Sequence, residues 1–240
     1  MHGRADLLIT LLRAIRKDAQ PYSEQRRMLI TLGDYIDRGP DSAKIIDTLI
    51  HLPLEGFEAK HLKGNHEDLF LEFLKNPSEG LLWMTNGGWA TLLSYGLEVS
   101  ELPDRLEDLA TVQAKLLERM PKEHITFLQS LRLFYKIGDY YFVHAGIAPN
   151  VSLDEQSEDD LLWIRGDFIH SKREFEKIVV HGHTISKEPD EQPNRIGLDT
   201  GAFHTGIMTC MVLNGKERYF LQVKEGQSYA TKLASKFSTS

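Results

Sequence analysis

Short apolar runs that end in polar clusters form the main pattern of this sequence. Three of them lie at positions 28–32, 140–143 and 178–180, and each is followed by a polar cluster that begins with Gly or His. A continuous apolar run predicts a strand that is buried on both faces, as in sheets that helices cover. The polar clusters therefore lie at strand ends, where open α/β sheets usually bind their ligands.

Helical periodicity fills the intervals between these runs. The segments 6–16, 42–51 and 67–74 each carry a stripe of apolar residues at helical spacing, which is typical of amphipathic helices. Strand, polar loop and helix thus alternate in the first third of the chain. This alternation predicts a layered α/β architecture.

The middle of the chain has a different pattern, and we interpret residues 77–133 as a helical insertion near the mouth of the site. Residues 86–89 predict a turn, whereas the segment 102–120 is acidic and amphipathic. Pro121 suits the first turn of a further helix that runs through position 131. Backbone N–H groups in the first turn have no acceptor within the helix, so the N–H that proline lacks is not needed there.

The C-terminal part of the chain predicts a β-hairpin. Two apolar strands at 210–213 and 218–223 flank Asn214-Gly215, a dipeptide that favours tight hairpin turns. We expect residues 235–240 to be frayed, as chain ends usually are.

The beginning of the chain departs from the α/β alternation. A strand should precede the first polar loop and helix, yet Met1 is followed at once by His2-Gly3-Arg4 and the helical segment. We therefore expect that the first core strand is missing. Its loss should expose the backbone edges of neighbouring strands and remove apolar contacts from the core.

Composition limits the class of protein. The chain has 240 residues, of which 41% are hydrophobic and 26% charged, so we expect one compact domain over residues 1–240. The net charge of -7 argues against a nucleic-acid partner, because such proteins need a basic surface to neutralise phosphates. No apolar run approaches the roughly 18 residues of a membrane span, and a signal-peptide pattern is absent. We therefore expect a cytoplasmic protein without a membrane partner.

Cys210 is the one cysteine of the sequence. A single thiol excludes both a disulfide framework within the chain and a cysteine-based zinc site. Its place in an apolar run predicts a buried thiol on a strand.

Four polar motifs, each at the end of a predicted strand, carry the candidate chemistry. They are Gly33-Asp34-Tyr35-Ile36-Asp37-Arg38-Gly39, Gly64-Asn65-His66-Glu67, His144-Ala145-Gly146 and His181-Gly182-His183-Thr184. A lone Gly-Asp pair is usually a turn. The whole set in this order, preceded by His2-Gly3, resembles the phosphoprotein-phosphatase branch of the calcineurin-like metallophosphoesterases, especially the short bacterial and phage serine/threonine phosphatases. The resemblance runs from His2 to Gly201 and implies a four-layer fold, a β-sandwich flanked by helices.

The resemblance also implies a dinuclear metal site. Two metal ions about 4 Å apart neutralise the charge of a phosphate ester and ionise a water between them, which requires a carboxylate that touches both ions. Asp34 is the candidate for this bridging ligand. His2 is a further ligand of the first ion, and Asn65, His144 and His183 complete the shell of the second. Oxygen and nitrogen ligands without thiolates are typical of manganese, which we expect, or of iron or zinc.

The same resemblance assigns roles to four more residues. His66 corresponds to the general acid that protonates the departing oxygen, and Asp37 holds its imidazole ring in the required tautomer. Arg38 and Arg165 correspond to guanidinium groups that each bind two phosphate oxygens. The assignment of Arg165 depends on the short motif Leu162-Trp163-Ile164-Arg165.

One ligand of the family pattern has no counterpart in the sequence. In the family the first ion is also bound by an aspartate two positions before the histidine, and that position would fall immediately before Met1. We therefore expect weaker binding of the first ion, while the second ion still binds. The free amine of Met1 is a candidate substitute ligand.

Several other side chains allow two interpretations. His181 could line the site or end a strand, and the acidic segment 154–160 could shape specificity, although a solvated loop is more usual. Trp83, Trp89 and Tyr95 could form a wall that faces substrate, but we favour core packing because of their large apolar area. The histidines without a motif are interpreted as surface or packing residues; they are His51, His61, His124, His170 and His204.

Three functions fit these motifs. The first is hydrolysis of phosphoserine or phosphothreonine in proteins, and the second is cleavage of a bis(5'-nucleosyl) polyphosphate by the same metal centre. The third is a phosphate-binding scaffold without turnover, which the absent aspartate favours and the intact His66, Asp37 and Arg38 oppose. A nucleotide enzyme needs a pocket with stacking aromatic side chains, whereas a phosphoprotein enzyme needs an open groove. The expected partner is a phosphorylated protein or a small phosphoester.

Overall fold

A computed structural model of the chain describes residues 1–102 and 108–237. The helices, in chain order, are α1 (Ala5–Asp18), α2 (Ser42–Ile50), α3 (Asn65–Lys75), α4 (Gly80–Trp83), α5 (Trp89–Ser94), α6 (Leu109–Arg119), α7 (Lys122–Gln129), α8 (Glu158–Trp163), α9 (Gly166–Ile169) and α10 (Ala202–Thr205). Short helical turns lie at Gln20–Tyr22, Pro77–Glu79, Met84–Gly88 and Val99–Glu101.

The strands, in chain order, are β1 (Arg27–Thr31), β2 (Phe57–His61), β3 (Phe134–Ile137), β4 (Tyr140–Val143), β5 (Ile178–His181), β6 (Asp190–Glu191), β7 (Arg195–Gly197), β8 (Ile207–Asn214), β9 (Glu217–Lys224) and β10 (Ala230–Ala234). The three predicted helices correspond to α1, α2 and α3, and the three predicted polar-ended strands correspond to β1, β4 and β5. Each boundary agrees to within about two residues, which is the usual precision of such assignments.

The strands form three hydrogen-bonded groups. β1 pairs with β2 in parallel, and β8, β9 and β10 form an antiparallel sheet in the order β10-β9-β8. The largest sheet has the order β3-β4-β5-β7-β6, in which β4, β5 and β7 run parallel. The carboxyl ends of these parallel strands lie at one edge of the sheet, where the loops of the motifs begin.

Side-chain alternation along β4 indicates how the sheets stack. Tyr141 packs in an apolar cluster with Phe168 of α9, whereas Phe142 packs with Ile30 of β1 and Met211 of β8. Because successive residues of a strand point to opposite faces, the five-stranded sheet is covered by helices on one side and by β1 and β8 on the other. The α1 helix lies against β8 and β9. The resulting order of helix, sheet, sheet and helix is the predicted four-layer α/β fold.

The α1 helix forms because its apolar residues recur at helical spacing. Leu8, Leu11, Leu12 and Ile15 are buried along one face, and they join the apolar cluster that contains Leu221 of β9. Full burial of such a side chain contributes about 1.5–3 kcal/mol relative to an exposed position. The helix therefore anchors the loop that carries His2.

A cavity of about 420 Å³ separates β1 from β8. Its wall includes residues 27–32 and 208–214 on the two strands, together with Leu8 and Leu12 of α1 and Phe142 of β4. Within the described ranges the partner of β1 is β2 and the partner of β8 is β9, so the other edge of each strand borders the cavity.

The two predicted helical segments of the insertion correspond to α6 and α7. The α6 helix covers Leu109–Arg119 of the predicted segment 102–120, and the stretch 103–107 lies outside the described residues. Pro121 precedes α7 instead of forming its first turn, because its ψ of 137° is extended rather than helical.

The aromatic residues of the insertion divide between core and surface. Trp83 and Tyr95 are buried, as the core interpretation predicted, whereas Trp89 is 47% exposed and does not fit it. Burial of Tyr95 is possible because its hydroxyl bonds to Nδ1 of His124 at 3.0 Å.

Two predictions for the C-terminal part need correction. The turn of the hairpin consists of Gly215 and Lys216, because Asn214 still pairs with Glu217. Gly215 has a φ of 58°, and glycine reaches this left-handed conformation without strain. Ser235 was predicted to be frayed but is buried, with its hydroxyl bonded to Glu191 at 2.5 Å. Residues 238–240 of that prediction lie outside the described ranges.

The acidic segment 154–160 is mostly exposed, as expected of a solvated loop, and its end enters α8. None of the helices in the described part of the chain is long and apolar enough to cross a membrane.

Candidate metal centre

Two glycines bring the first two motif loops into contact. Gly33 lies two residues after β1 and has a φ of 87°, and a Cβ atom at this position would lie 2.5 Å from the backbone nitrogen of Gly64. No other residue allows both that conformation and that approach. The contact places Asp34 of the first loop beside Asn65, which begins α3.

Five site residues share a strained backbone. The non-glycine residues that the structure gives a positive φ are His2 (49°), Asp34 (54°), Asp37 (70°), Arg38 (66°) and His183 (60°). A left-handed conformation costs a residue with a Cβ atom free energy, and such residues concentrate at functional sites. All five were candidate site residues in the sequence, so the strain and the motifs point to the same place.

The carboxylate of Asp34 lies at the centre of the site. Its Oδ2 atom is 3.2 Å from Nε2 of His2, and its Oδ1 atom is 3.4 Å from Nε2 of His144. Two groups of possible ligand atoms share this carboxylate: His2, Asp34 and His66 form one, and Asp34, His144 and His183 form the other. This is the arrangement that a bridging ligand requires.

The backbone sets the tautomers of two histidines. Nδ1 of His144 lies 2.6 Å from the carbonyl oxygen of Leu32, and Nδ1 of His2 lies 2.9 Å from that of Ile36. A carbonyl oxygen only accepts, so in both rings Nδ1 carries the proton and the neutral Nε2 presents a lone pair. These lone pairs face the oxygens of Asp34. A cation placed between these imidazole lone pairs and the oxygens of Asp34 would be bound by both kinds of acceptor. The residues therefore fit a metal ion.

The second group includes the other two predicted ligands. Nε2 of His144 is 3.0 Å from Oδ1 of Asn65 and 3.2 Å from Nδ1 of His183. Nε2 of His183 is buried without a hydrogen-bond partner among the described residues. Burial, followed by the charge of His144, lowers the pKa of His183 to about 3, so this imidazole is neutral and able to bind a metal at ordinary pH.

Charge and burial oppose each other at Asp34. Burial alone would raise the pKa of this carboxyl, but its electrostatic interactions with His144, His66 and His2 outweigh burial and hold the pKa well below its usual range. The carboxylate is therefore ionised, as a bridging ligand must be.

His66 is held from both sides of its ring. Nδ1 lies 2.6 Å from Oδ2 of Asp37, and Nε2 accepts a hydrogen bond from Nη2 of Arg38 at 2.9 Å. Burial would lower the pKa of His66, but the charge of Asp34 and the bond to Asp37 outweigh it and raise the pKa. The bond to Asp37 suits a proton donor, whereas Nε2 can carry a proton only when the guanidinium of Arg38 has moved away from it. His66 also belongs to the first group of possible ligand atoms, so its position alone is compatible with either role.

The two predicted phosphate-binding arginines lie on opposite sides of Asp34. Nη1 of Arg38 donates to Nε2 of His2 at 3.1 Å, and Nη1 of Arg165 donates to the carbonyl oxygen of His183 at 3.3 Å. The structure thus brings every predicted site residue to one location.

Comparison with known proteins identifies the family. Residues 1–202 match the model of the calcineurin-like phosphoesterase family. The chain belongs to this family. Its members use divalent metal ions, in agreement with the two groups of ligand atoms around Asp34.

Relatives of this metallophosphoesterase include proteins with two kinds of name. The asymmetrical bis(5'-nucleosyl)-tetraphosphatase PrpE of Anoxybacillus flavithermus is 26% identical over 219 residues, which are 85% of this chain and 83% of that protein. Serine/threonine-protein phosphatase 1 of Salmonella typhimurium is 35% identical over 95 residues, which are 39% of each chain. A crystal structure of a putative diadenosine tetraphosphatase shares the fold, with a TM-score of 0.57, 20% identity and coverage of 98% of this chain and 90% of that chain.

Glu67 supports the candidate metal centre of this metallophosphoesterase, although the sequence analysis gave it no role. Its buried carboxylate accepts the backbone N–H groups of Asp34 (2.8 Å), Tyr35 (2.7 Å), Ile36 (3.3 Å) and Gly64 (2.9 Å). Burial, followed by the charge of Asp34, raises its pKa to about 7. Glu67 therefore holds the loop that presents Asp34. A glutamate three positions after a helix cap was the available sequence signal.

His181 does not belong to the metal centre. It ends β5, is 1% exposed, and packs edge-on against Phe168 with ring centroids 5.0 Å apart. Burial lowers its pKa to about 4. Of the two interpretations left open by the sequence, the structure favours the end of a strand.

The remaining histidines lie at the surface or in packing positions, as predicted. His51, His170 and His204 are exposed. His61 bonds to the hydroxyl of Thr31 at 2.8 Å, and His124 packs beside Tyr95.

Proposed function

We propose that this metallophosphoesterase hydrolyses bis(5'-nucleosyl) polyphosphates with two divalent ions, of which manganese suits the ligand set best. The observation that carries the hydrolytic part is the carboxylate of Asp34, which His2 and His66 approach on one side and His144 and His183 on the other. One ion would be held by His2 and Asp34, and the other by Asp34, Asn65, His144 and His183. When bound, such ions neutralise phosphate charge and lower the pKa of water.

The remaining side chains supply binding and proton transfer. Arg38 and Arg165 bind the oxygens of the attacked phosphate, since a phosphate oxygen accepts a stronger hydrogen bond than the imidazole or carbonyl that each now contacts. Once Arg38 has exchanged Nε2 of His66 for a phosphate oxygen, His66 donates a proton from Nε2 to the departing oxygen, and Asp37 stabilises the charged ring that precedes this transfer.

Aromatic side chains beside both ligand groups support a nucleotide substrate. The ring centroids of Phe203 and His2 lie 5.2 Å apart, and those of Trp163 and His183 lie 6.3 Å apart. Both residues are partly exposed, so each offers an apolar surface on which a nucleobase can stack. The PrpE relative, which aligns with 85% of the chain, supports the same substrate.

A phosphoprotein is the second candidate substrate. The sequence motifs placed it first, and the 35% identity to a serine/threonine-protein phosphatase over 95 residues supports it. The longer alignment with PrpE and the two aromatic side chains lead us to place the nucleotide first.

The test is a comparison of two substrates in the presence of manganese. We expect kcat/KM for diadenosine tetraphosphate to exceed that for a phosphothreonine peptide at least about 100-fold, a difference of roughly 3 kcal/mol in transition-state binding. Chromatography should identify AMP and ATP as the products, which differ in their number of phosphate groups. Asp34→Asn, which removes the shared ligand, controls for contaminating phosphatases and should abolish the activity.

Other outcomes change the assignment. Preference for the phosphopeptide would replace the first candidate by the second. Hydrolysis of neither substrate by a folded, manganese-loaded chain would contradict both and favour a phosphate-binding scaffold.

A further inference from the structure

The carboxylate of Asp37 has two partners besides His66. Nε1 of Trp83 donates to both carboxylate oxygens at 3.0 Å, and the hydroxyl of Thr91 donates to Oδ1 at 2.6 Å. All three side chains are shielded from solvent, since Asp37, Trp83 and Thr91 are each 0% exposed. The bond from Asp37 to His66 is thus one of several that converge on a single buried anion.

Trp83 is fixed by its surroundings. Its indole stacks on Phe73 with ring centroids 4.7 Å apart and packs against Phe70 at 5.0 Å. A Cβ atom at Gly88 would lie 2.5 Å from the indole ring, so this glycine makes room for it. A side chain packed in this way directs its N–H group without further loss of conformational entropy.

Thr91 contacts both the backbone and the side chain of Asp37. Its Oγ1 atom accepts from the backbone N–H of Asp37 at 2.9 Å, while its proton goes to the carboxylate. The hydroxyl of Ser42 accepts from the same N–H at 3.0 Å. These bonds hold Asp37 in its left-handed conformation, with a φ of 70°.

We propose that Trp83 and Thr91 are positioning residues that act on the general acid His66 through Asp37. Both residues belong to segment 77–133, so this segment contributes to the orientation of the general acid. With two oxygens held by Trp83 and Thr91, the carboxylate has one orientation, and Oδ2 faces Nδ1 of His66. That contact directs Nε2 toward the departing oxygen. The inference rests on the proposed hydrolytic role of His66.

The readout is the dependence of rate on the leaving group. A general acid matters most when the departing oxygen is basic, so loss of the acid slows phenyl phosphate more than p-nitrophenyl phosphate, whose phenol is far more acidic. Phenol itself resembles the tyrosine side chain, with a pKa of about 10. A variant that merely damages the fold slows both substrates equally.

Two variants remove the two donors, and two further variants serve as matched controls. Trp83→Phe keeps the ring and removes the N–H, and Thr91→Val keeps the shape and removes the hydroxyl. Thr91→Ser restores the hydroxyl and should restore the leaving-group profile of the unmodified chain. Tyr95→Phe, which removes the bond to His124 within the same segment, should leave both rates unchanged.

We expect Trp83→Phe and Thr91→Val each to lower kcat for phenyl phosphate about 10-fold, the range seen when a supporting partner is removed. KM and the rate on p-nitrophenyl phosphate should change less than about 2-fold, since the lost contact does not touch the phosphate. His66→Asn should also slow phenyl phosphate more than p-nitrophenyl phosphate, and its loss of kcat on phenyl phosphate should be larger. The double variant of Trp83→Phe and His66→Asn should be no slower than His66→Asn alone, because the indole would then have no acid to position.

The outcomes separate the inference from the function on which it rests. If His66→Asn slows phenyl phosphate more than p-nitrophenyl phosphate but Trp83→Phe and Thr91→Val do not, the positioning role alone is overturned. Equal losses on both substrates in those two variants overturn it as well. If His66→Asn slows both substrates equally, the acid role and the inference are overturned together.

Discussion

At the scale of single residues, the metal centre is built from strained backbone that buried hydrogen bonds stabilise. A left-handed conformation costs a non-glycine residue on the order of 1–3 kcal/mol, and five site residues adopt it. The carboxylate of Glu67 offsets part of this cost at Asp34 by accepting its N–H group, and the hydroxyls of Ser42 and Thr91 do the same at Asp37. Ligand geometry therefore depends on side chains that touch neither ion nor substrate.

His181 provides a prediction about pH. Burial lowers its pKa from 6.5 to about 4, so between these values the unfolded chain binds more protons than the folded chain. The stability that the neutral ring contributes is complete above about pH 6.5 and is lost as the pH falls toward 4. We expect the advantage of the unmodified chain over His181→Gln to shrink by about 2 kcal/mol between pH 7 and 4.5.

Urea denaturation of both proteins in metal-free buffer measures this difference. Carboxyl groups affect both proteins alike and cancel in the comparison. A difference in unfolding free energy that stays constant over this range would contradict the prediction.

At the scale of secondary-structure elements, the cavity between β1 and β8 departs from dense packing. Interiors normally contain few voids larger than a water molecule, and this one measures about 420 Å³. Cys210 of β8 lies on its wall. It is on a strand, as predicted, but Cys210 as a whole is half-buried rather than buried. Burial of the thiol raises its pKa to about 12. Among the described residues, the edges of β1 and β8 that face the cavity have no strand partner, and such edges are a recognised route to association between strands.

The cavity makes Cys210 a position that should accept a larger side chain. We expect Cys210→Leu to raise the free energy of unfolding by about 1 kcal/mol, because the added methyl groups bury apolar surface without displacing neighbours. Ala5→Leu is the matched control. Ala5 is fully buried in the apolar core, so overpacking there should lower stability by about 1–3 kcal/mol.

Chemical denaturation of the two variants and the unmodified chain gives the comparison. Destabilisation by Cys210→Leu of the same size as in Ala5→Leu would mean that the space beside β8 is closed in solution.

At the scale of the whole molecule, the metal centre joins distant parts of the chain. The predicted ligands are spread from position 2 to position 183 and come from loops after several different elements. An unfolded chain cannot hold these groups together, so ions that bind the site stabilise only the folded state.

Thermal unfolding should therefore depend on the metal. A manganese concentration about 100-fold above the dissociation constant adds about 2.7 kcal/mol, which for a chain of this length raises Tm by about 5–10 °C. Excess EDTA should reverse the shift. Asp34→Asn should remove most of it, whereas His170→Ala, at an exposed position outside the site, should retain it.

Differential scanning calorimetry measures this shift without reference to activity. An equal increase in Tm for Asp34→Asn and the unmodified chain would place the bound ion elsewhere.

The sequence by itself determined the features that depend on local order. Apolar runs of strand length and stripes at helical spacing located β1, β4, β5 and the first three helices to within about two residues, because burial of one face imposes its period on the chain. The order and residue types of the motifs were sufficient to name the candidate ligands around Asp34, since metal and phosphate chemistry restricts which side chains serve.

Only the tertiary structure decided features that depend on distant partners. Trp83 lies 46 positions from Asp37, and no periodicity predicts that its N–H group would meet that carboxylate. The sequence likewise left His181 open, because a histidine at a strand end faces either the site or the core according to what packs above it. Such contacts are set by the way sheets and loops stack, and their free energies arise only when the chain folds, because the unfolded chain keeps these groups apart and solvated.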